Sequence, residues 1–283
     1  MSSSSVRWVE QAELEELNPA FARGAAIGGA FCAEGGCLSP PRNVTACAAA
    51  LAVTAVMVRE HVSFTGLATS AGRVSGVQAG AGTISAPVIV LTGGPRLARA
   101  GRLAGIRIPA GGAAPGCGHP AAPRPGARTA SMVFDLANGR HWRPAEGGLP
   151  FGMSNPGEPP GENRSVDEEY LARMRARLGA LVPVTNGLGL RRIWAATIDY
   201  TPDHLPIIGR APGLDHITVA CAGGAGMMWG PGVARAAADV ALSGATDVLD
   251  VSSLGLDRFD EAGRSRLASD PIALPFPERI SSS

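Results

Sequence analysis

The residues best placed to do chemistry form a strand–glycine–helix unit over residues 216–242. The apolar run 216–222 predicts a strand, 223–230 a glycine loop, and 232–242 a helix with Val233, Ala236, Ala237, Val240 and Ala241 turned inward. A glycine loop lets a ligand approach the backbone closely. The helix N-terminus behind it offers unpaired N–H groups and a positive dipole end to an electron-rich group. Taken alone, Gly224-x-Gly226-x-x-x-Gly230 has the spacing of a variant dinucleotide-binding turn, with Asp247 or Asp250 as a ribose acid. Such a unit needs a further parallel strand ending in the acid, and little patterned chain follows. An ordinary glycine-rich connection is the plain alternative.

Other candidates lie upstream. Arg143 is the cation suited to gripping a substrate carboxylate in two-pronged fashion, with a structural ion pair as its alternative. His141 and His204 are candidates for the border of a pocket, or simply satisfied polar residues. Trp142, Trp194 and Tyr200 can wall a site or fill a core.

Composition removes whole classes of function. All 25 basic residues are arginine, which excludes Schiff-base lysines, a pyridoxal phosphate anchor and a Walker-type phosphate lysine. A net charge of +1 gives no footprint for nucleic acid or an anionic membrane. The five cysteines include no CxxC pair and read as reduced, mostly buried thiols; no metal site is expected, a set of Cys32, Cys37 and His119 being the only alternative. The N-terminus has no apolar signal core, and the longest apolar run, 46–58, is too short to span a bilayer. A soluble, cytoplasmic protein is expected.

Several elements must position these groups. Asn43 can cap a helix carrying Val44, Cys47, Leu51, Ala55 and Val58. Residues 61–67 predict a strand, and 73–78 with 83–85 a hairpin turning at 79–82. The run 88–91, ending in Thr92-Gly93-Gly94, predicts a strand buried on both faces and reaching a ligand-facing sheet edge. Residues 111–127 predict a long loop, 132–134 and 141–143 strands joined by the Asn138-Gly139 turn, and 154–162 another Pro/Gly loop. Ser165 and Glu168 form a capping-box pattern before a helix with Leu171, Met174, Leu178 and Leu181 on one face, ended by Pro183. Residues 193–198 predict a strand and 200–206 a turn.

Five blocks carry a family resemblance. His141-Trp142-Arg143-Pro144-Ala145-Glu146-Gly147-Gly148 with Gly152-Met153-Ser154-Asn155-Pro156 is similar to the "R-P-E-x-G-G … G-M-S-D-P" run of the D-amino-acid oxidase superfamily, closest to the sarcosine oxidase beta subunit and amine dehydrogenase branch. Trp194-Ala195-Ala196 with Thr201-Pro202-Asp203-His204-Leu205-Pro206-Ile207-Ile208-Gly209 resembles its "WAG … TPD-x-x-P-I-I-G" block. Gly223-Gly224-Ala225-Gly226-Met227-Met228 stands where it has "G-H-G-M", and Asp250, Ser252, Leu256, Arg258 and Phe259 match its closing block. Gly28-Gly29 with Gly36-Cys37-Leu38-Ser39-Pro40 fits its entry to a helix.

The resemblance implies a mixed α/β fold: part of a three-layer FAD-binding domain (43–100 and 194–262), an antiparallel-sheet substrate domain (1–42 and 101–193), and a tail at 263–283. It also implies that the first βαβ unit, which grips the FAD pyrophosphate, is missing from these residues, so a partner chain would have to supply it. The cofactor is FAD, bound along Gly93, Gly94, Thr201, Pro202, Asp203, Gly223, Gly224, Ala225, Gly226, Met227 and Met228. The reaction is hydride transfer from an amine-bearing carbon to flavin N5, giving an imine, on a small amine or amino acid. A non-catalytic remnant or partner-binding subunit is the alternative. Three departures bear on activity: Ala225 replaces the family histidine, Gly93-Gly94-Pro95 replaces "A-G-x-W", and the chain between Leu67 and Gly72 is short. With no lysine to promote reaction with dioxygen, a dehydrogenase is expected rather than an oxidase.

Overall fold

The structure is a computed structural model and describes residues 6–80, 82–113, 116–120, 131–136, 140–145, 148–153 and 161–267. The chain opens with β1 (Val6–Glu10), α1 (Gln11–Leu17) and β2 (Gly28–Cys32), the two strands pairing antiparallel. Next come α2 (Pro40–Ala52), β3 (Phe64–Ser70), β4 (Arg73–Ala79), β5 (Gly82–Ser85), β6 (Ile89–Leu91), a 3-10 turn at Gly94–Arg96 and α3 (Leu97–Leu103). Five short strands follow: β7 (Gly111–Ala113), β8 (Gly116–Pro120), β9 (Val133–Asp135), β10 (Arg140–Trp142) and β11 (Phe151–Met153). Then come α4 (Glu168–Leu181), β12 (Leu190–Ala195), β13 (Ile198–Tyr200), β14 (Ile207–Ala211), β15 (Leu214–Cys221) and α5 (Gly226–Ser243).

A three-layer arrangement surrounds β15. The sheet order is β14-β15-β6, with β15 parallel to β6 (Ile217 beside Ile89, Val219 beside Leu91) and antiparallel to β14. Successive side chains point to opposite faces of a strand. Ile217, Val219 and Cys221 therefore join Ile89, Leu91, Leu97, Ile106 and Ile108 on one side, where Phe64, Leu67, Val74 and Val77 of the β3–β4 hairpin pack over them. On the other side Ala220 and Ala222 meet Ala236, Ala237 and Val240 of α5. Small residues on both surfaces let the helix lie close to the sheet. Ile207, Ile217 and Val219 are fully buried, and each contributes about 1.5–3 kcal/mol by leaving water.

A second core lies elsewhere. The five-stranded sheet β12-β8-β11-β10-β9 is antiparallel throughout. One face carries Val133, Trp142 and Phe151 against Tyr170, Leu171, Met174 and Leu178 of α4. Phe21 closes this core against Trp142, with ring centroids 5.5 Å apart.

Several expectations change. The glycine loop spans only the four residues after β15: α5 begins at Gly226 and runs on through Gly230 and through Pro231, which lies inside the helix. The variant dinucleotide spacing therefore lies mostly within a helix. Among the described residues no strand follows α5, and Asp250 instead accepts from the Ser252 N–H. The region expected to be one loop contains β7 and β8; residues 121–127, 137–139 and 154–160 lie outside the described set. Asp167, rather than Ser165, caps α4, accepting from the Tyr170 N–H at 2.9 Å, while Ser165 bonds Asn163.

β6 is buried on one face only, since Val90 on the α5 side is 41% exposed. Cys37 and Cys47 are exposed and Cys32 half-buried, so among the described thiols only Cys221 is buried. α2 starts three residues before Asn43 and ends at Ala52. None of its residues is buried, and Val53, Val56, Met57 and Val58 beyond it are exposed. Among the described residues no helix is long and apolar enough to cross a membrane.

Candidate functional site

Because β6 and β15 run parallel, their carboxyl ends reach the same sheet edge. There β6 passes into Thr92-Gly93-Gly94 and β15 into Ala222-Gly223-Gly224-Ala225. This is where open α/β sheets place ligands. Gly223 (φ +64°) and Gly224 (φ +102°) hold backbone conformations that side-chain-bearing residues rarely adopt. Space forbids side chains too. A Cβ on Gly223 would stand 2.5 Å from the Leu205 carbonyl oxygen, and one on Gly224 2.7 Å from the Tyr200 ring.

The loop is thus wedged from behind, with Gly223 and Ala225 buried, and open space begins beside it at Gly94 and at the first residues of α5. A Cβ at Gly94, Gly226, Gly230 or Gly232 would meet nothing within 4 Å. The N-cap Ala225 offers no side-chain acceptor and the first turn of α5 contains no acid, so the positive end of its dipole has no compensating charge in the helix itself, although the Met228 N–H turns back to the Ala225 carbonyl at 3.0 Å. Met227 is half-buried and Met228 exposed beside it.

The turn behind the loop is tightly tied. The Thr201 hydroxyl donates to the Leu205 carbonyl at 2.8 Å, and the Leu205 N–H donates to Asp203 at 3.1 Å. Asp203 is fully buried and takes both carboxylate bonds from Arg258: Nε at 2.7 Å and Nη2 at 3.0 Å. Burial alone would raise this carboxyl. The hydrogen bonds of Arg258, Ser265 and the Leu205 N–H outweigh it and hold the pKa at about 2. His204 occupies the left-handed region at φ +57° and meets Tyr200 edge-on, centroids 5.4 Å apart. Burial lowers its pKa against the opposing pull of Asp203, favouring neutral imidazole. Pro202 is exposed at the tip of the turn.

Cys221, unassigned from sequence, lies beneath the loop. Its sulfur accepts from the Gly223 N–H and donates to Asp199, each at 3.4 Å, and burial pushes the thiol up to about 12. It packs and orients rather than reacts.

His141 and Arg143 stand on the five-stranded sheet, not at the glycine edge. The registers put Trp194, Gly152, His141 and Phe134 in one row on the face opposite Trp142 and Phe151. Arg143, whose N–H reaches the Pro150 carbonyl, follows two residues on and shares that face. Burial, then Arg143, lowers the pKa of His141. Trp142 is core, whereas Trp194 lies on the His141 face with the Arg192 guanidinium 5.6 Å above its ring. This sheet connects to the glycine edge through β12, which ends at Ala195 just before β13 delivers Tyr200 beneath Gly224.

Sequence reasoning missed the Asp203–Arg258 pair. Fifty-five residues separate its members, so no periodicity links them; the only signal was their presence in two blocks of one family pattern.

Together these features define a mixed α/β protein with a glycine-lined edge at the ends of two parallel strands, joined to an antiparallel sheet. Residues 2–240 match the family model described as DAO, FAD dependent oxidoreductase, and the chain belongs to that family. It is 28% identical to a glycine oxidase of Pseudomonas putida over 179 residues, 62% of this chain and 46% of that protein. The chain therefore spans about half the length of the curated relative it matches. Among solved structures it is similar to an L-proline dehydrogenase from P. horikoshii (TM-score 0.84, 22% identity, covering 93% of this chain and 71% of that one). It is also similar to a glycine oxidase from Geobacillus kaustophilus (0.79, 24%, 91% and 68%). At these identities the likeness is one of fold.

Proposed function

We propose that this chain is the flavin-edge and substrate-side part of an FAD-dependent oxidoreductase of amines or amino acids. The observation that carries it is the contrast between Gly223 and Gly224, wedged against Leu205 and Tyr200, and Gly94 and Gly226, open to a ligand. A flat ring system suits such a surface, because no side chain stands on Gly94, Gly223, Gly224 or Gly226.

In this proposal the Gly223–Met228 segment would hold the isoalloxazine, and the positive end of the α5 dipole would favour the negative charge of the reduced ring. Gly93, Gly94, Thr201, Pro202 and Asp203 complete the holding set, Asp203 by fixing the turn rather than by direct contact, since Arg258 occupies both its oxygens. When bound, the group supplies the electron sink for oxidising the carbon that bears the amine. Arg143 grips a substrate carboxylate, and His141 and Trp194 on the same face border the substrate. His204 packs edge-on against Tyr200, and burial lowers its pKa, which favours the uncharged imidazole beside the loop. The absence of lysine favours an electron acceptor other than dioxygen. The two separate cores support a division into a substrate-side unit (1–42 and 101–193) and a cofactor-side unit (43–100 and 194–262), although Ile106 and Ile108 pack with the latter.

The test is anaerobic mixing of the FAD-treated chain with glycine, L-proline, N-methyl and D-amino acids. Bleaching of the visible flavin band by at least one class is expected; a flavin complex that none of them bleaches would remove catalysis from the proposal.

One observation favours a second role, that of a subunit acting only on a partner. The unburied α2 and the apolar residues after it make a surface that water alone covers poorly. Cofactor uptake only after mixing with a second chain would favour that role.

A further inference from the structure

We propose that Arg258 is a positioning residue for the glycine loop, acting through Asp203 and the Leu205 carbonyl; this rests on the flavin-edge proposal above. A guanidinium has five N–H donors, and here every one is used. Nε and Nη2 take the two oxygens of Asp203, Nη2 also reaches the Leu205 carbonyl at 3.1 Å, and Nη1 reaches the carbonyls of Leu254 (2.7 Å) and Gly255 (3.4 Å). The fork lies 4.3 Å from the Phe259 ring centroid, and both charged side chains are essentially out of water.

The Leu205 carbonyl is where this network meets the site. It accepts from both Arg258 and the Thr201 hydroxyl, and it is the atom against which Gly223 rests. Its position therefore sets how far the glycine loop can fall back from a ligand. Asp203 holds the same turn from inside by accepting the Leu205 N–H across His204, whose backbone sits in the left-handed region. A turn so conformed persists when its surroundings over-determine it. Arg258 supplies that constraint from a segment 55 residues away.

Lysine cannot reproduce a planar fork. The decisive comparison is among wild type, Arg258→Lys and the double variant Asp203→Leu/Arg258→Met. The double variant removes both buried charges together and so avoids leaving one unpaired. Two readouts are taken on the full chain: amide exchange over residues 223–226 without any flavin, and FMN affinity from flavin fluorescence. The expected result is exchange faster by about tenfold or more in both variants, even where thermal unfolding of the double variant matches wild type. FMN affinity should fall by about tenfold or more.

A double variant of wild-type stability with wild-type exchange would overturn the proposal, because the pair would then be merely structural. If wild type itself takes up no FMN, the flavin-edge proposal fails, and exchange alone still decides the role of Arg258.

Discussion

The Tyr200 ring lies directly behind the Gly224 α-carbon, so close that a Cβ there would stand 2.7 Å from it. A residue of β13 thereby sets how far the loop after β15 can retreat. Gly224→Ala should cost about 1–3 kcal/mol of stability through strain at φ +102° and overpacking. Gly226→Ala, where a Cβ meets nothing, should leave the urea midpoint unchanged or raised while weakening flavin binding. Equal loss of stability in the two variants would remove the distinction between the packed and open sides of the loop.

The Asp203 carboxyl, held at about 2, gives a second expectation. A group whose folded pKa is depressed contributes stability above its unfolded value of about 4 and loses it as pH falls toward the folded value. Urea unfolding of wild type should therefore weaken between about pH 4 and pH 2. Asp203→Asn should start lower by about 3–5 kcal/mol, since it leaves Arg258 buried without a counter-charge. It should also show a shallower decline across that window. Parallel curves would exclude Asp203 as the source.

Arg143 can be tested by substrate choice. Arg143→Gln should raise KM for amino acids about 10–100-fold, the loss of one charge-assisted contact. Amines without a carboxylate should be turned over as by wild type. A uniform loss on both substrate types would make Arg143 structural.

The stretch from α2 to Val58 should be the first to open. A 13-residue helix with no buried side chain is marginal alone. Trypsin, which has sites at Arg42 and Arg59, should cut there before it cuts at Arg210 of β14 or Arg235 of α5. Resistance at both arginines would show that something covers this surface.

What could be read from the sequence follows physical lines. The inward face of α5 and the face of α4 with Leu171, Met174 and Leu178 were legible because helical period alone dictates them. The β4–β5 and β9–β10 pairings were legible from the glycine-rich 79–82 and Asn138-Gly139 sequence signals between the strands. The parallel pairing of β6 and β15 was not read, because more than a hundred residues separate the two strands and no local spacing links them. β7 and β8 were not legible, because glycine-rich strands have no alternating side chains to announce them. The glycine edge was legible as a motif, whereas the wedge behind it was not. Leu205, Tyr200 and Arg258 act there through tertiary contacts that no local spacing encodes.

The most direct measurement is a titration of the full chain with FAD, FMN and lumiflavin, followed by absorbance and flavin fluorescence after gel filtration. If the glycine edge holds the isoalloxazine end, all three should show a perturbed visible band, with affinities within about a factor of ten of one another. Gly226→Ala should weaken all three together. No spectral change with any flavin at saturating concentration, or binding that Gly226→Ala leaves untouched, would contradict a flavin seat at Gly223–Met228.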